Sequence, residues 1–304
     1  MQRSFFDVHL WYKMLALPMP REIVAGLLAV HLEFFDCESR KGALYWGMCF
    51  VKNQQGPIVV QGAMGVETQY IIDRMTEVRE EPFGPFRCVR GLFEGHALVV
   101  CETQWGMANA SALAALAIAR YRPQAIISQG TAGAHDASLA VYDIVLGVRT
   151  ANSSAWQSHY RAAGEGVDYR GLKQLGVFAW DKGKKEFTQE VYHEGNPALL
   201  AAARRAAAMY KRGRVVEGTI TTCDSWNCEV DRIAFLHEFY GSLAEEMEGD
   251  AVAQVCQSFD VPFLDVRIIS NSILLNQDPW DLGTGPVCQE YVLSLLRAYW
   301  QDVR

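Results

Sequence analysis

The sequence predicts an α/β fold, a mostly parallel sheet covered by helices. Two observations predict it. From about Pro57 onward short apolar runs alternate with longer helical patterns, and several of the short runs are rich in Val and Ile. In chain order the expected strands are Ile58–Gln61, Ala97–Cys101, Ala125–Ser128, Asp143–Val148, Thr219–Thr222 and Phe263–Ile268. Between them, Ala108–Tyr121 and Ala198–Arg212 are Ala-rich with few β-branched residues, a helix-forming composition. Glu246–Phe259 and Val287–Trp300 carry apolar residues at three- and four-residue intervals, so each can cover one face of the sheet.

Residues 1–56 read differently and are expected to form an N-terminal extension to a domain spanning 57–304. Pro20 and Glu22 open a helical pattern through Phe35, and Ala43–Val51 reads as a strand before the turn Asn53-Gln54-Gln55-Gly56. The polar stretch Gly164–Gly171 is the best loop candidate.

Half of the 304 residues are hydrophobic, enough to bury a full core. A net charge of -7 argues against wrapping nucleic-acid phosphates, which needs clustered Lys and Arg, and points to a small-molecule substrate. No stretch reaches the roughly 18 apolar residues of a membrane span. The opening residues contain Asp7, His9 and Lys13 rather than an unbroken apolar signal region, so cytoplasm is the expected compartment. The eight cysteines lie mostly in apolar runs without C-x-x-C spacing and read as reduced packing residues, with no metal site among them.

Ligands of open α/β sheets collect at the carboxyl ends of strands, so polar residues just after the expected strands are the site candidates. Gly62-Ala63-Met64-Gly65-Val66-Glu67 lets the backbone turn tightly and presents a carboxylate able to act as a general base. Glu102-Thr103-Gln104-Trp105-Gly106 and Gly130-Thr131-Ala132-Gly133-Ala134 read as glycine turns, and neither matches a dinucleotide or P-loop fingerprint. Trp226 offers a flat face for a heterocycle. In Ala244-Glu245-Glu246-Met247-Glu248, four acids with Asp250 surround a methionine at an expected helix start. There Glu248 can accept from two sugar hydroxyls and Met247 can pack on the sugar face. Arg267 lies inside an apolar run that ends in Ser270-Asn271, and a buried arginine requires an anionic partner such as Glu67 or Glu248. Each position also has an ordinary reading: a solvated glutamate, a core methionine or a core tryptophan.

Taken in order, GAMGVE, QGTAGAHDASLAVYDIV, CDSW, EEMEGDAVAQVC and VPFLDVRIISN resemble the nucleoside phosphorylase superfamily, nearest its 5'-methylthioadenosine/S-adenosylhomocysteine nucleosidase and futalosine hydrolase branch. The resemblance covers about Ile58 to the C-terminus. It implies a single α/β domain around a twisted mixed sheet, usually dimeric, with no metal and no cofactor. It assigns water activation to Glu67, the ribose hydroxyls to Glu248, a place beside the nucleophilic water to Arg267, and contact with the purine near N7 to Ser270 and Asn271. Thr103, Trp226, Glu246 and Met247 complete the expected substrate-binding set.

Cleaving this bond passes through an oxocarbenium-like sugar, so glutamates near the ribose and hydrogen-bond donors at N7 form a coherent set. Hydrolysis is expected over phosphorolysis because Gly62–Glu67 lacks the basic phosphate-binding residue of the phosphorylases, although Arg90 and Arg120 remain candidates for one. Asn271 departs from the aspartate of adenosine-type nucleosidases. An amide can donate to N7 and O6 of a 6-oxopurine, and the Trp280-Asp281 pair also resembles futalosine hydrolases, so futalosine, of the alternative menaquinone pathway, is the first expectation. The alternatives are a 5'-methylthioadenosine/S-adenosylhomocysteine nucleosidase, a phosphorylase, and a non-catalytic storage or sensing relative. For the 5' pocket the candidates are His135 and Gly164–Gly171.

Overall fold

The computed structural model describes residues 56–81, 83–277 and 279–302. The helix expected from Pro20, the strand expected at Ala43–Val51, and Cys37 and Cys49 lie outside the described residues. The first helical and extended elements are β1 (Ile58–Gly62), α1 (Gln69–Ile72), β2 (Thr76–Glu80), β3 (Arg87–Phe93), β4 (His96–Glu102), α2 (Met107–Tyr121), β5 (Ala125–Ala134) and β6 (Ile144–Asn152). Four short strands follow, β7 (Trp156–Gln157), β8 (Lys173–Gln174), β9 (Val177–Asp181) and β10 (Glu186–Glu190), which pair as β7 with β8 and β9 with β10. The chain then runs through β11 (His193–Glu194), α3 (Pro197–Ala207), β12 (Val215–Thr222), α4 (Val230–Tyr240), β13 (Ser242–Glu246), α5 (Gly249–Phe259), β14 (Phe263–Asn271) and α6 (Thr284–Asp302).

The expected α/β architecture is present: a ten-stranded mixed sheet with helices on both faces. Alternation along each central strand sends neighbouring side chains to opposite cores. Ile58, Val60, Ile127, Leu264 and Val266 join α3 and α6 in one core, while Val59, Ile126 and Phe263 join α2 and α5 in the other. With both faces covered, the strands read as unbroken apolar runs rather than alternating ones.

One feature of the sheet creates the site. β5 pairs in parallel with β1 only as far as Ser128, whereas its other edge follows β14 to Gly133. Beyond the end of β1 the vacated edge is taken at Gly133 and Ala134 by antiparallel β13. Since β14 also pairs with β6, β6 with β12 and β12 with β13, these five strands close into a ring. The sheet splits where β1 and β13 diverge from β5, and the turn after β1 faces the end of β13 across that split.

Several expectations are corrected. Gly130–Ala134 is not a turn but the continuation of β5, held by pairing with β14 that local composition does not reveal. The helix expected from Glu246 begins at Gly249; Glu245 and Glu246 belong to β13, and the Glu246 carboxylate accepts the N–H groups of Glu248 and Gly249 from outside the helix. α3 starts where expected, with Asn196 capping Ala198 and Leu199 and Pro197 in the first turn, but ends at Ala207 rather than Arg212. After Ala207 the backbone tightens to three-residue turns at Met209 and Tyr210, and the Tyr210 hydroxyl is tied to the Tyr142 carbonyl. β2, β3, β13 and α4 were not expected; β2, with every residue exposed, carries no apolar signal. Gly164–Gly171 is a loop closing in one 3-10 turn. Cys88, Cys101, Cys223, Cys256 and Cys288 are buried as expected, while Cys228 is exposed.

Ile127 sits on β5 with no solvent exposure, so Ile127→Ala leaves a cavity between the strand and α6. The expected loss of unfolding free energy is about 2–5 kcal/mol, read from the shift of a urea midpoint at unchanged slope.

Candidate active site

The site begins with Arg267, on β14. Its side chain is 2% exposed, and carboxylates from several elements surround it. Asp265, two residues earlier and therefore on the same strand face, accepts from Nε at 2.9 Å. Glu246 Oε2 at the end of β13 lies 2.7 Å from Nη2, which also donates to Ser128 Oγ at 2.8 Å. Glu248 Oε2 lies 3.4 Å from Nη1. Burial works against the guanidinium charge, and Asp265, Glu246, Glu248 and Glu67 outweigh it, so the group is held above its ordinary pKa.

Glu67 reaches the same cluster from the turn after β1. Its Oε2 accepts the backbone N–H groups of Ala63 and Met64 at 2.9 and 3.2 Å, and its Oε1 accepts the Thr131 N–H and hydroxyl at 2.8 and 3.0 Å. Burial raises its pKa, opposed by the Thr131 N–H and the Arg267 charge. Gly130 makes the approach possible, because a Cβ there would stand 2.6 Å from Glu67 Oε1 and 3.1 Å from Arg267 Nη1. Glu248 is anchored by the Gly106 N–H at 3.0 Å; burial raises its pKa, with Arg267 opposing. Gly106 itself has φ +99°, and it brings the N-terminus of α2 against Asp224, which accepts the Met107 N–H at 2.9 Å.

These groups border a cleft with about 720 Å³ of empty space, counting the part open to solvent. Of the expected residues, Glu67, Glu246, Met247, Glu248, Ser270, Asn271 and Trp226 line it. Arg267 lies behind that wall, joined to it through Glu246 and Glu248. Glu246 borders the cleft, but its Oε2 is taken by Arg267 and two N–H groups and its Oε1 by the Thr222 hydroxyl, so the side chain holds the wall rather than facing a ligand. Thr103 departs from expectation: it is buried outside the lining, its hydroxyl donating to the Gln104 carbonyl at 2.8 Å. Ser270 Oγ is 3.1 Å from Asn271 Oδ1, an arrangement that leaves the Asn271 Nδ2 group without a protein acceptor among the described residues.

Trp226 stands at the cleft mouth, edge-to-face with Trp280 at 5.5 Å, and Trp280 in turn meets Trp105 at 6.2 Å. Sequence reasoning gave Trp105 no role, although it follows a strand end directly. Asp281, beside Trp280, does not line the cleft; it accepts from the Tyr142 hydroxyl at 3.1 Å. His135 lies at the end of β5 with Glu245 and Asn227, and these last two were also missed. The signals were Glu245's place in the acidic run and Asn227's beside Trp226. Neither Arg90 nor Arg120 reaches the cleft, and Arg120 pairs with Glu81 at 3.5 Å. Among the described residues no cluster of His, Cys, Asp or Glu is arranged to hold a metal, and no helix is long and apolar enough to cross a membrane.

Arg267→Met would leave Asp265, Glu246 and Glu248 buried without their cation, at an expected cost of about 3–5 kcal/mol. Glu248, Glu67 and Asp265 already have raised folded pKa values, so stability falls as pH rises from the ordinary carboxylate range toward neutrality. Loss of Arg267 raises those values further. The deficit of the variant is therefore expected to be largest at neutral pH and to shrink on acidification, measured as Tm against pH. Gly130→Ala, which puts a methyl group against the Glu67 carboxylate, is expected to reduce activity at least tenfold while keeping the fold, checked by kinetics and circular dichroism.

The phosphorylase superfamily profile matches residues 57–285. A 5'-methylthioadenosine/S-adenosylhomocysteine nucleosidase of Shewanella loihica is 32% identical over 245 residues, 79% of this chain and 98% of the relative. One from Bacillus cereus is 27% identical over 215 residues, covering 70% and 85%. Among solved structures, the Colwellia psychrerythraea 5'-methylthioadenosine/S-adenosylhomocysteine nucleosidase in complex with adenine has a TM-score of 0.65 at 22% identity, covering 81% of this chain and 96% of the other. The futalosine hydrolase of Helicobacter pylori gives 0.65 at 20% identity, covering 80% and 98%; both are likenesses of fold. The split sheet and the acidic cleft at its seam are thus carried by a chain that belongs to the phosphorylase superfamily, as an enzyme of its nucleosidase branch.

Proposed function

We propose that this enzyme uses water to cleave the N-glycosidic bond of a purine nucleoside. One observation carries the reading: among the described residues the cleft wall holds the four carboxyl groups of Glu67, Glu245, Glu246 and Glu248 and neither a lysine nor an arginine. An incoming phosphate meets no free counter-charge there, while a sugar gaining positive charge meets carboxyl groups that can stabilise it. In this reading Glu67, oriented by four hydrogen bonds, takes the proton of the attacking water, and Arg267 fixes the position of that water's surroundings from behind. Glu248 binds the ribose hydroxyls, with Met247 against the sugar, and the aromatic residues at the mouth cover the base. Asn271 Nδ2 donates to N7 as the purine leaves.

The names of the curated relatives favour 5'-methylthioadenosine and S-adenosylhomocysteine, so an adenine nucleoside bearing a 5' thioether is the first substrate reading. This reverses the order expected from Asn271 and the Trp280-Asp281 pair. The second reading, a 6-oxopurine nucleoside such as futalosine, keeps one specific support, since an amide in place of an acid donates hydrogen bonds without passing on a proton.

Base release from 5'-methylthioadenosine, S-adenosylhomocysteine, inosine and futalosine, followed by chromatography with and without phosphate, tests the proposal. Release that is independent of phosphate is the expected result; release that requires phosphate would replace hydrolysis with phosphorolysis. No release from any of the four would leave a binding protein. Glu67→Gln is expected to lower kcat by about 10²–10⁴-fold with little change in KM. If adenine nucleosides are the substrates, Asn271→Asp is expected to raise their kcat, since it supplies a proton donor at N7.

A further inference from the structure

We propose that Glu245 determines base specificity by reading the Watson–Crick edge of the purine, facing Asn271 across the bare backbone of Gly133. The proposal rests on the nucleosidase reading and adds the group that distinguishes one base from another. Its first support is register. Glu245 on β13 and Asn271 on β14 are matched to the same residue of the strand between them, Gly133. Matched residues of neighbouring strands project to the same face, and the two outer strands are two spacings apart, about 9.5 Å. A Cβ at Gly133 would touch nothing but the Asn271 amide, at 3.6 Å from Nδ2. The result is a slot with an open floor, an amide on one side and a carboxyl on the other, and all three residues line the cleft.

The second support is that, among the described residues, Glu245 has hydrogen-bond partners but no paired cation. It is 8% exposed, yet it takes no part in the Arg267 cluster that holds Glu67, Glu246 and Glu248. Its partners fix its position without supplying a contacting cation. Asn227 Nδ2 donates to Oε1 at 2.6 Å, and the Cys223 thiol donates to Oε2 at 3.3 Å. His135 Nε2, just past β5, stands 3.8 Å from Oε1, and burial keeps that imidazole neutral, its pKa lowered to about 3. From α4 the Arg232 charge acts on Glu245 without an ion-pair contact, its guanidinium lying over the Trp156 ring at 4.0 Å, and on β13 itself Glu246 opposes. Burial pushes the Glu245 carboxyl up to about 7. A buried carboxyl without a contacting cation is costly to keep in a ligand cleft unless a ligand uses it.

Complementarity then follows from protonation. The carboxylate accepts a hydrogen bond from the N1–H of a 6-oxopurine; the neutral acid donates to N1 of adenine while accepting from its 6-amino group. Both substrate readings are met by the same side chain, and pH tilts the balance between them.

Calorimetric titration of hypoxanthine and of adenine into the full chain, at one pH unit below and one above neutrality, tests the inference alongside Glu245→Leu and Glu245→Gln. In the unmodified protein hypoxanthine affinity is expected to rise and adenine affinity to fall by about tenfold each across that step, so that their ratio rises about a hundredfold. Both variants are expected to lose the pH dependence, and Glu245→Leu to bind hypoxanthine at least tenfold more weakly at the higher pH. Glu245→Gln, nearly the same shape and unable to ionise, guards against a folding defect. Unaltered pH dependence in both variants would overturn the role of Glu245 while leaving the nucleosidase reading intact. Failure of the unmodified protein to bind either base would overturn both.

Discussion

A single buried guanidinium organises this molecule. Arg267 has almost no access to water, and leaving such a charge unpaired costs several kcal/mol, so the structure around it has to deliver carboxylates from separate parts of the chain to one point. Asp265 comes from two residues earlier on β14, Glu246 from the end of β13, Glu248 from the step before α5, and Glu67 from the turn after β1. Those requirements fix the relative placement of the three strands and exclude a side chain at Gly130, where carboxylate and guanidinium converge. Four acids outnumber one base, and burial raises the pKa of Glu67, Glu248 and Asp265, so the cluster can take up protons, while Glu67 and Glu248 border the cleft.

The split of the sheet gives this cluster a cleft to face. Because β1 stops short while β5 continues, the edge of β5 is exposed for a few residues before β13 closes it. The Thr131 N–H and hydroxyl, in that interval, are free to bind Glu67 instead of a neighbouring strand. Beyond it, Gly133 lies between Glu245 and Asn271. The cleft thus has two chemically different ends on the same three strands. In the proposed reading the arginine-linked acids serve the sugar, and the pair flanking Gly133 serves the base. A change at one end therefore need not disturb the other, which is how a shared reaction can be kept while the base or the 5' substituent changes.

Legibility in the sequence followed the physics of each element. β1, β4, β5 and β14 were visible because strands covered on both faces must be apolar throughout, and α2 because a buried Ala-rich face lets it lie close to α5. β2 was invisible because an exposed edge strand needs no apolar residue, and β13 because its Glu245 and Glu246 are polar residues stabilised by partners far along the chain. Glu67, Asn271 and Trp226 were legible as site candidates from their places at strand ends and Glu248 from its place at an expected helix start, and each reaches the cleft. Thr103 had the same credentials, but its hydroxyl folds back onto the local backbone.

By itself the sequence determined the alternation of strands and helices, the family resemblance, and the identity of the acids, amides and aromatics available to a site, because periodicity and residue chemistry are local properties. The tertiary structure alone decided that Gly130–Ala134 is strand rather than turn, that Glu246 holds the wall with Arg267 behind it while Glu67 and Glu248 face the cleft, and that Glu245 stands opposite Asn271. Those outcomes depend on which strands pair and in what register, and on partners more than a hundred residues apart whose burial sets their charge, neither of which is written in any one stretch of chain.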